Sequence, residues 1–290
     1  MLYDRRMEDA FAHCEALVRA ADKDRFLATL FAPAEHRGTL HALYAFNLEI
    51  ARVREIVHEP LAGEIRMQWW TDAIASEDAG DASAHPVAAA LLATVARERI
   101  PVEVLTDLID ARRFDLYNDP MPGLAELEDY ARKTSSALIA LAGNVLGSRG
   151  DASVDRLAGH AGIAYAIAAL LKAFPVHAAR GQLFLPLDLC ERHGVRREDI
   201  ADRRTTPELR TLLCDMRGRA REHLAQAGEL IGEVRAAVLP AFLPVALAGP
   251  TLRRMDEPGR DPFAAFEIPQ WRRQWQLWRA ARQPSLMFSG

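Results

Sequence analysis

Residues 161–171 read AGIAYAIAALL, and whether that run crosses a membrane or lies inside a bundle decides the fold. A bilayer-spanning helix needs about 20 apolar residues in succession, and this run is well short of that. Its flanks extend it as a helix over 153–174 that carries almost no charge from Leu157 to Leu171. A helix apolar all round is one surrounded by other helices. Gly159, Gly162, Ala164 and Ala168 give it small positions where a neighbour or a ligand can approach closely.

Outward from this centre, apolar residues recur at helical spacing through most of the 290 residues. The spacing predicts helices over 5–20, 36–57, 60–76, 86–98, 101–117, 124–147, 207–238, 240–255 and 269–282, with short ones at 24–32 and 186–201. Pro101 and Pro207 suit a first helical turn, and Gly147 and Gly150 suit helix ends. Residues 76–85, SEDAGDASAH, read as a surface loop. With 50% hydrophobic residues, rich in Ala and Leu and poor in β-branched alternation, the chain is expected to be all-α. It reads as one helical domain over 1–290, a bundle around a central cavity, with 269–290 as a docking helix and tail.

Composition excludes several classes. A net charge of -4 lacks the concentrated basic excess that phosphate backbones require, so nucleic acid is not an expected partner. Cys14, Cys190 and Cys214 are odd in number and far apart, with neither a disulfide framework nor metal-ligand spacing. The first residues lack the pattern of a secretory signal. A soluble, cytoplasmic protein is the expectation.

Four segments then carry a resemblance. LHALYAFNLEIARVREI (40–56), MQWWTDAI (67–74), YARKTSSALIALAGNVLG (130–147) and GIAYAIAALLKAFPVHAARGQLFLP (162–186) resemble, in order and spacing, the squalene and phytoene synthases, all-helical enzymes that join prenyl diphosphates head to head. The resemblance covers about 24–255. It implies two facing helices, each with aspartates four apart, because Mg²⁺ on a diphosphate leaving group takes hard oxygen ligands. In this sequence those motif positions fall on Ala51 and Glu55, and on Ala173 and His177. One carboxylate remains. An arginine expected after YAF is Leu48, and polar residues of the central helix are replaced by Ala166 and Ala169.

This pattern of loss, with AFNLEIA (45–51), RMQWW (66–70), LKAFPVH (170–177) and LFLPLDLCERHGVRREDI (183–200), is similar to the branch of the superfamily that contains the mitochondrial assembly factor of respiratory complex I and its bacterial relatives. The resemblance implies a protein without metal-dependent prenyl transfer and without a cofactor. Its implied partners are complex I subunits or assembly intermediates at the inner face of a membrane, and its old cavity is left for an isoprenoid or lipid. The other reading is an active prenyl-diphosphate transferase with a diverged, metal-poor site that uses Glu49, Glu55, Lys172 and Arg180, with Mg²⁺ needed only in that case.

The candidate pocket residues are Tyr44, Glu49, Arg52, Glu55, Arg66, Lys172, His177 and Arg180. Glu49, Arg52 and Glu55 have the i,i+3 spacing of ordinary helix pairs, and Arg66 is placed to close a salt bridge beside a packed Trp69 and Trp70. Lys172, His177 and Arg180 read either as a cationic mouth for a diphosphate or phospholipid headgroup or as the cations usual at a helix end. Pro175 lacks an N–H and clashes with the preceding turn, so the helix is expected to kink or stop near Phe174.

Near the C-terminus Trp271, Trp275 and Trp278 line one face at i, i+4 and i+7, with Arg272, Arg273, Arg279 and Arg282 around them. That face either packs back on the bundle or docks on a membrane or partner. The tail residues Leu286, Met287 and Phe288 are expected to be exposed.

Overall fold

The computed structural model describes residues 2–57, 59–76 and 80–289; residues 77–79 of the expected 76–85 loop lie outside that range. Among the described residues fifteen α-helices follow one another: α1 Leu2–Ala21, α2 Lys23–Thr29, α3 Ala34–Ala51, α4 Val53–Ile56, α5 Pro60–Ala75, α6 Pro86–Glu98, α7 Val102–Arg113, α8 Leu124–Ala131, α9 Ala137–Gly143, α10 Ala152–Ala179, α11 Leu187–His193, α12 Arg197–Ala201, α13 Pro207–Leu230, α14 Ala248–Met255 and α15 Gln270–Arg282. No β-strand occurs among the described residues. The all-α expectation holds.

Local chemistry sets many of the ends. Asp22, Asp151 and Thr206 each turn a side-chain oxygen onto a free N–H of the first turn of α2, α10 and α13, supplying a donor's missing partner. Pro60, Pro86 and Pro207 occupy first turns, where no N–H is needed. Gly147 (φ 93°) and Gly150 (φ 75°) both adopt the left-handed conformation that lets the chain leave one helix and enter α10.

Two packed groups result. α1 lies against α3 and α6, and α5 lies against α7; α10 lies against α13 and α14. The wider π-type turn over Arg132–Ser136 joins them, packing on α10, α7, α8 and α9, while α2 bridges α3 and α15. At that turn Gly162 of α10 meets Ser136 so closely that a Cβ would fall 2.4 Å from the Ser136 backbone. The Ser136 hydroxyl donates to the carbonyl of Gly159 at 3.0 Å. The small residues of α10 therefore serve a helix crossing at this level.

α10 is the one helix among the described residues long and apolar enough to cross a membrane, and 61% of its apolar window is buried within the bundle. α13 and α14 pack along it.

Several boundaries differ from the sequence reading. α10 runs through Pro175 to Ala179 instead of ending near Phe174. Pro175 and Ala178 are buried and the Phe174 ring packs 5.1 Å from that of Phe263, so packing on both sides of the proline holds turns that its missing N–H weakens. Residues 236–247 form tight 3₁₀ turns rather than helix, because Pro240 and Pro244 withdraw donors from an α-helical ladder. The expected 36–57 helix breaks at Arg52, the expected 186–201 helix splits at Gly194 (φ 72°), and Gly80–Ala84 of the expected loop is a 3₁₀ turn.

The C-terminal expectations change as well. Leu277 and Ala280 of α15 are buried, while Trp271, Trp275 and Trp278 are 64%, 53% and 40% exposed. The aromatic face does not pack back on the bundle; the opposite face does. Met287 and Phe288 are buried and Leu286 is half-buried, so the tail is not exposed. Its 3₁₀ turn Pro284–Phe288 lies against α13, α15 and the 243–247 segment, where those apolar side chains find cover.

Candidate functional site

The two helices that the motif positions mark meet across Arg25, whose guanidinium lies over Tyr44 of α3 and Tyr165 of α10, and one ion pair joins their ends. Glu55, on α4 just beyond the Arg52 break, lies 3.7 Å from Arg52 and 3.6 Å from Arg180 at the end of α10. All three side chains are about half exposed. Glu49, six residues earlier on α3, accepts a 2.7 Å hydrogen bond from the Arg66 guanidinium on α5. The Trp70 ring packs beside it in the core, edge-on to Phe46 at 5.4 Å and to Trp69 at 5.1 Å.

On α10 the groups expected to form one cationic mouth are dispersed. Lys172 is bonded to Glu267 at 3.1 Å, Arg180 turns to Glu55, and the His177 ring packs 4.6 Å from Phe184. At about 100° per residue, position 177 lies about 140° around α10 from position 172, and Arg180 at the helix end is drawn to Glu55. Burial, with the Arg180 charge adding to it, pushes the His177 imidazole down to about 4. A neutral, half-buried ring packed on Phe184 is a poor anion ligand.

Between α10 and the segment leading to α15 lies a cleft of about 370 Å³. Tyr165, Ala169, Lys172, Ala173 and Val176 of α10 line one wall; Glu267, Ile268 and Arg273 lie opposite. The degenerate position Ala173 thus borders open space, with Ala169 a turn away. Deeper in, Tyr44 and Tyr165 hold the Arg25 guanidinium between their rings, at 5.6 and 5.4 Å, and Asp22 bonds it at 2.6 Å. Burial pushes the Tyr44 phenol up and the Tyr165 phenol up to about 12. Both stay neutral and pack on the cation.

Mg²⁺ does not fit the motif positions. Ala51 and Ala173 offer methyl groups, His177 is packed on the Phe184 ring, and the single carboxylate, Glu55, already faces two guanidiniums. Hard cations require several oxygen donors. Among the described residues no group of three or more His, Cys, Asp or Glu side chains gathers as a metal site.

Three polar clusters escaped the sequence reading. One is Asp22–Arg25 with its two tyrosines. A second joins Arg112, Asp115 and Tyr130, where the Tyr130 hydroxyl donates to Asp115 at 2.9 Å and Arg112 bonds the carboxylate at 3.0 Å. The third sets His160 against His223, Nδ1 to Nδ1 at 3.0 Å, with Glu128 3.4 Å from the far nitrogen of His223 and bonded by Arg219 at 2.6 Å. The i,i+3 spacing of Asp22 with Arg25 and of Arg112 with Asp115 was a usable local signal. The His pair, 63 residues apart, left none.

Two facing helices in an all-α bundle, with motif positions at their adjoining ends, define an isoprenoid-synthase type of fold. The chain belongs to the squalene/phytoene synthase family, whose profile matches residues 18–279. It is 34% identical over 255 residues to rat NADH dehydrogenase (ubiquinone) complex I, assembly factor 6, covering 88% of this chain and 76% of that protein. To the phytoene synthase of Mycobacterium tuberculosis it is 27% identical over 190 residues, 66% of this chain and 62% of that one. The crystal structure of squalene synthase HpnC from Alicyclobacillus acidocaldarius shares the fold with a TM-score of 0.75 at 21% identity, covering 90% of this chain and 97% of that chain.

Proposed function

We propose that this protein acts without metal-dependent prenyl transfer and serves the assembly of respiratory complex I, the NADH:quinone oxidoreductase. The observation that carries the non-catalytic part is the donor set: Ala51, Ala173 and His177 supply no carboxylate where the reaction needs Mg²⁺ ligands, and Glu55 is held by Arg52 and Arg180. Without the metal a diphosphate leaving group has no counter-charge, and ionisation lacks the main source of its stabilisation. Similarity to assembly factor 6 over most of both chains supports the assembly part. In that role the Glu55–Arg180 and Glu49–Arg66 pairs act as struts between α3, α4, α5 and α10. The cleft beside Ala173 is left for an apolar tail of the isoprenoid or lipid class.

A second reading, an active prenyl-diphosphate transferase with a metal-poor site, draws on the phytoene synthase relative and on the cleft at Ala169 and Ala173. Purified protein with Mg²⁺ and farnesyl or geranylgeranyl diphosphate, run beside an active synthase, separates the two. No diphosphate release is expected; turnover at a rate comparable to the control overturns the non-catalytic reading. Deleting the gene and assaying NADH:quinone oxidoreductase tests the assembly part. A loss of assembled complex restored by returning the parent gene is the expected result, and unchanged complex in the deletion strain overturns it.

A further inference from the structure

α15 is anchored by one side and bare on the other. Residues 273, 277 and 280 are each two positions on from 271, 275 and 278, about 200° around the helix. On the first side Arg273 bonds Asp24 of α2, and Leu277 and Ala280 are buried. On the second Trp271, Trp275 and Trp278 are the exposed large rings, with Trp275 and Trp278 stacked at 5.0 Å. The Arg272 guanidinium lies over the Trp271 ring at 5.2 Å, and that of Arg282 over the Trp278 ring at 4.9 Å.

The charge on this helix is one-signed. α15 carries Arg272, Arg273, Arg279 and Arg282 and no acidic residue, on a chain whose net charge is -4. With Arg273 satisfied by Asp24, the other three arginines are left exposed beside or at the end of the tryptophan stripe. Arg272 and Arg279 lie about 100° around from Trp271 and Trp278, at the height of headgroups if the tryptophans face down into a bilayer. Trp271, Gln274, Trp275 and Trp278 border only a shallow, wide-open depression along the helix. Indole rings with cations alongside suit the boundary between acyl chains and anionic headgroups.

We infer that α15 lays its Trp271, Trp275 and Trp278 face on the surface of a membrane containing anionic phospholipid, with Arg272, Arg279 and Arg282 on the headgroups and the rest of the bundle held above it through Arg273, Leu277 and Ala280. This contact is independent of the assembly role, because binding to vesicles needs no subunit of complex I.

Co-sedimentation of the full chain with vesicles of phosphatidylcholine alone and of phosphatidylcholine mixed with phosphatidylglycerol tests it. Binding to the mixed vesicles is expected to exceed binding to the neutral ones. Trp271→Ala/Trp275→Ala/Trp278→Ala should lower partitioning on the order of tenfold or more, and Arg272→Gln/Arg279→Gln/Arg282→Gln should abolish the preference for anionic lipid. Because these side chains are outside the core, thermal unfolding of both variants should match the parent, which separates lost binding from lost fold. Brominated lipid should quench the parent's fluorescence and leave that of the triple tryptophan variant, reporting Trp69 and Trp70, unchanged. No sedimentation with mixed vesicles overturns the inference, as does sedimentation that the tryptophan variant leaves intact. A tryptophan variant that changes only the oligomeric state would overturn it in favour of a second copy as occupant.

Discussion

Gly159 and Gly162 lie three residues apart on α10, and alanine at each should move stability in opposite directions. At Gly162 a Cβ would sit 2.3 Å from the Ser136 hydroxyl and 2.4 Å from its Cα and N, about 1 Å inside ordinary contact, and two of those atoms are backbone that cannot rotate away. Overpacking of a filled interior costs about 1–3 kcal/mol, and a clash between two backbones belongs at the upper end. The helix gains ~1 kcal/mol when Ala replaces Gly, so Gly162→Ala should lose about 2 kcal/mol. At Gly159 no heavy atom lies within 4 Å of the new Cβ, and the same propensity gain stands alone, about 0.5–1 kcal/mol of added stability. A separation near 3 kcal/mol is about 5 °C in midpoint for a chain of this size. Thermal or urea unfolding followed by circular dichroism reads it. If Gly162→Ala is as stable as the parent, or both variants shift the same way, the close crossing of α10 over the 132–136 turn is refuted.

Other perturbations are equally direct. His177, held neutral in the fold by burial at about 4 against about 6.5 when unfolded, binds its proton only in the unfolded chain between those values. Stability is therefore fully present above about pH 6.5 and falls by up to ~1.4 kcal/mol per pH unit toward pH 4. His177→Phe keeps the contact with Phe184 and should flatten part of that slope; an unchanged acid profile counts against the assignment. Arg25→Ala leaves Asp22 without its cation between two tyrosines and should cost about 3–5 kcal/mol. Arg25→Lys should recover little of it because an ammonium cannot stack flat on both rings, and full recovery would dismiss the stacking argument. In native protein a thiol reagent should modify exposed Cys214 quickly and spare buried Cys14 and Cys190, whose thiols burial pushes up to about 12 and about 11. Rapid reaction of all three would contradict that burial.

Much of this was legible in the chain. Helical spacing, proline and cap positions placed most helices, because a helix closes its hydrogen bonds within a few residues and local chemistry decides its ends. The run 161–171 identified the central helix, and the motif positions pointed to the two helices that face each other. Reading failed where packing overrides a local rule. Pro175 predicted a kink or a stop near Phe174, and the helix runs on through it to Ala179; Met287 and Phe288 looked like a loose tail until α13 and α15 covered them.

That residues 51, 173 and 177 carry no carboxylate is a fact of the sequence alone, since no fold can supply an oxygen ligand that an alanine lacks. What the remaining charges do is a tertiary matter. Glu49 meets Arg66, Lys172 meets Glu267, Glu55 meets Arg180 and Arg273 meets Asp24. The last two partners are 249 residues apart, and a pattern that repeats every few residues carries no information about a neighbour at that distance. For the same reason the three tryptophans of α15 were evident as a stripe, while which side of that helix the bundle would cover was decided only when Leu277 and Ala280 found the core.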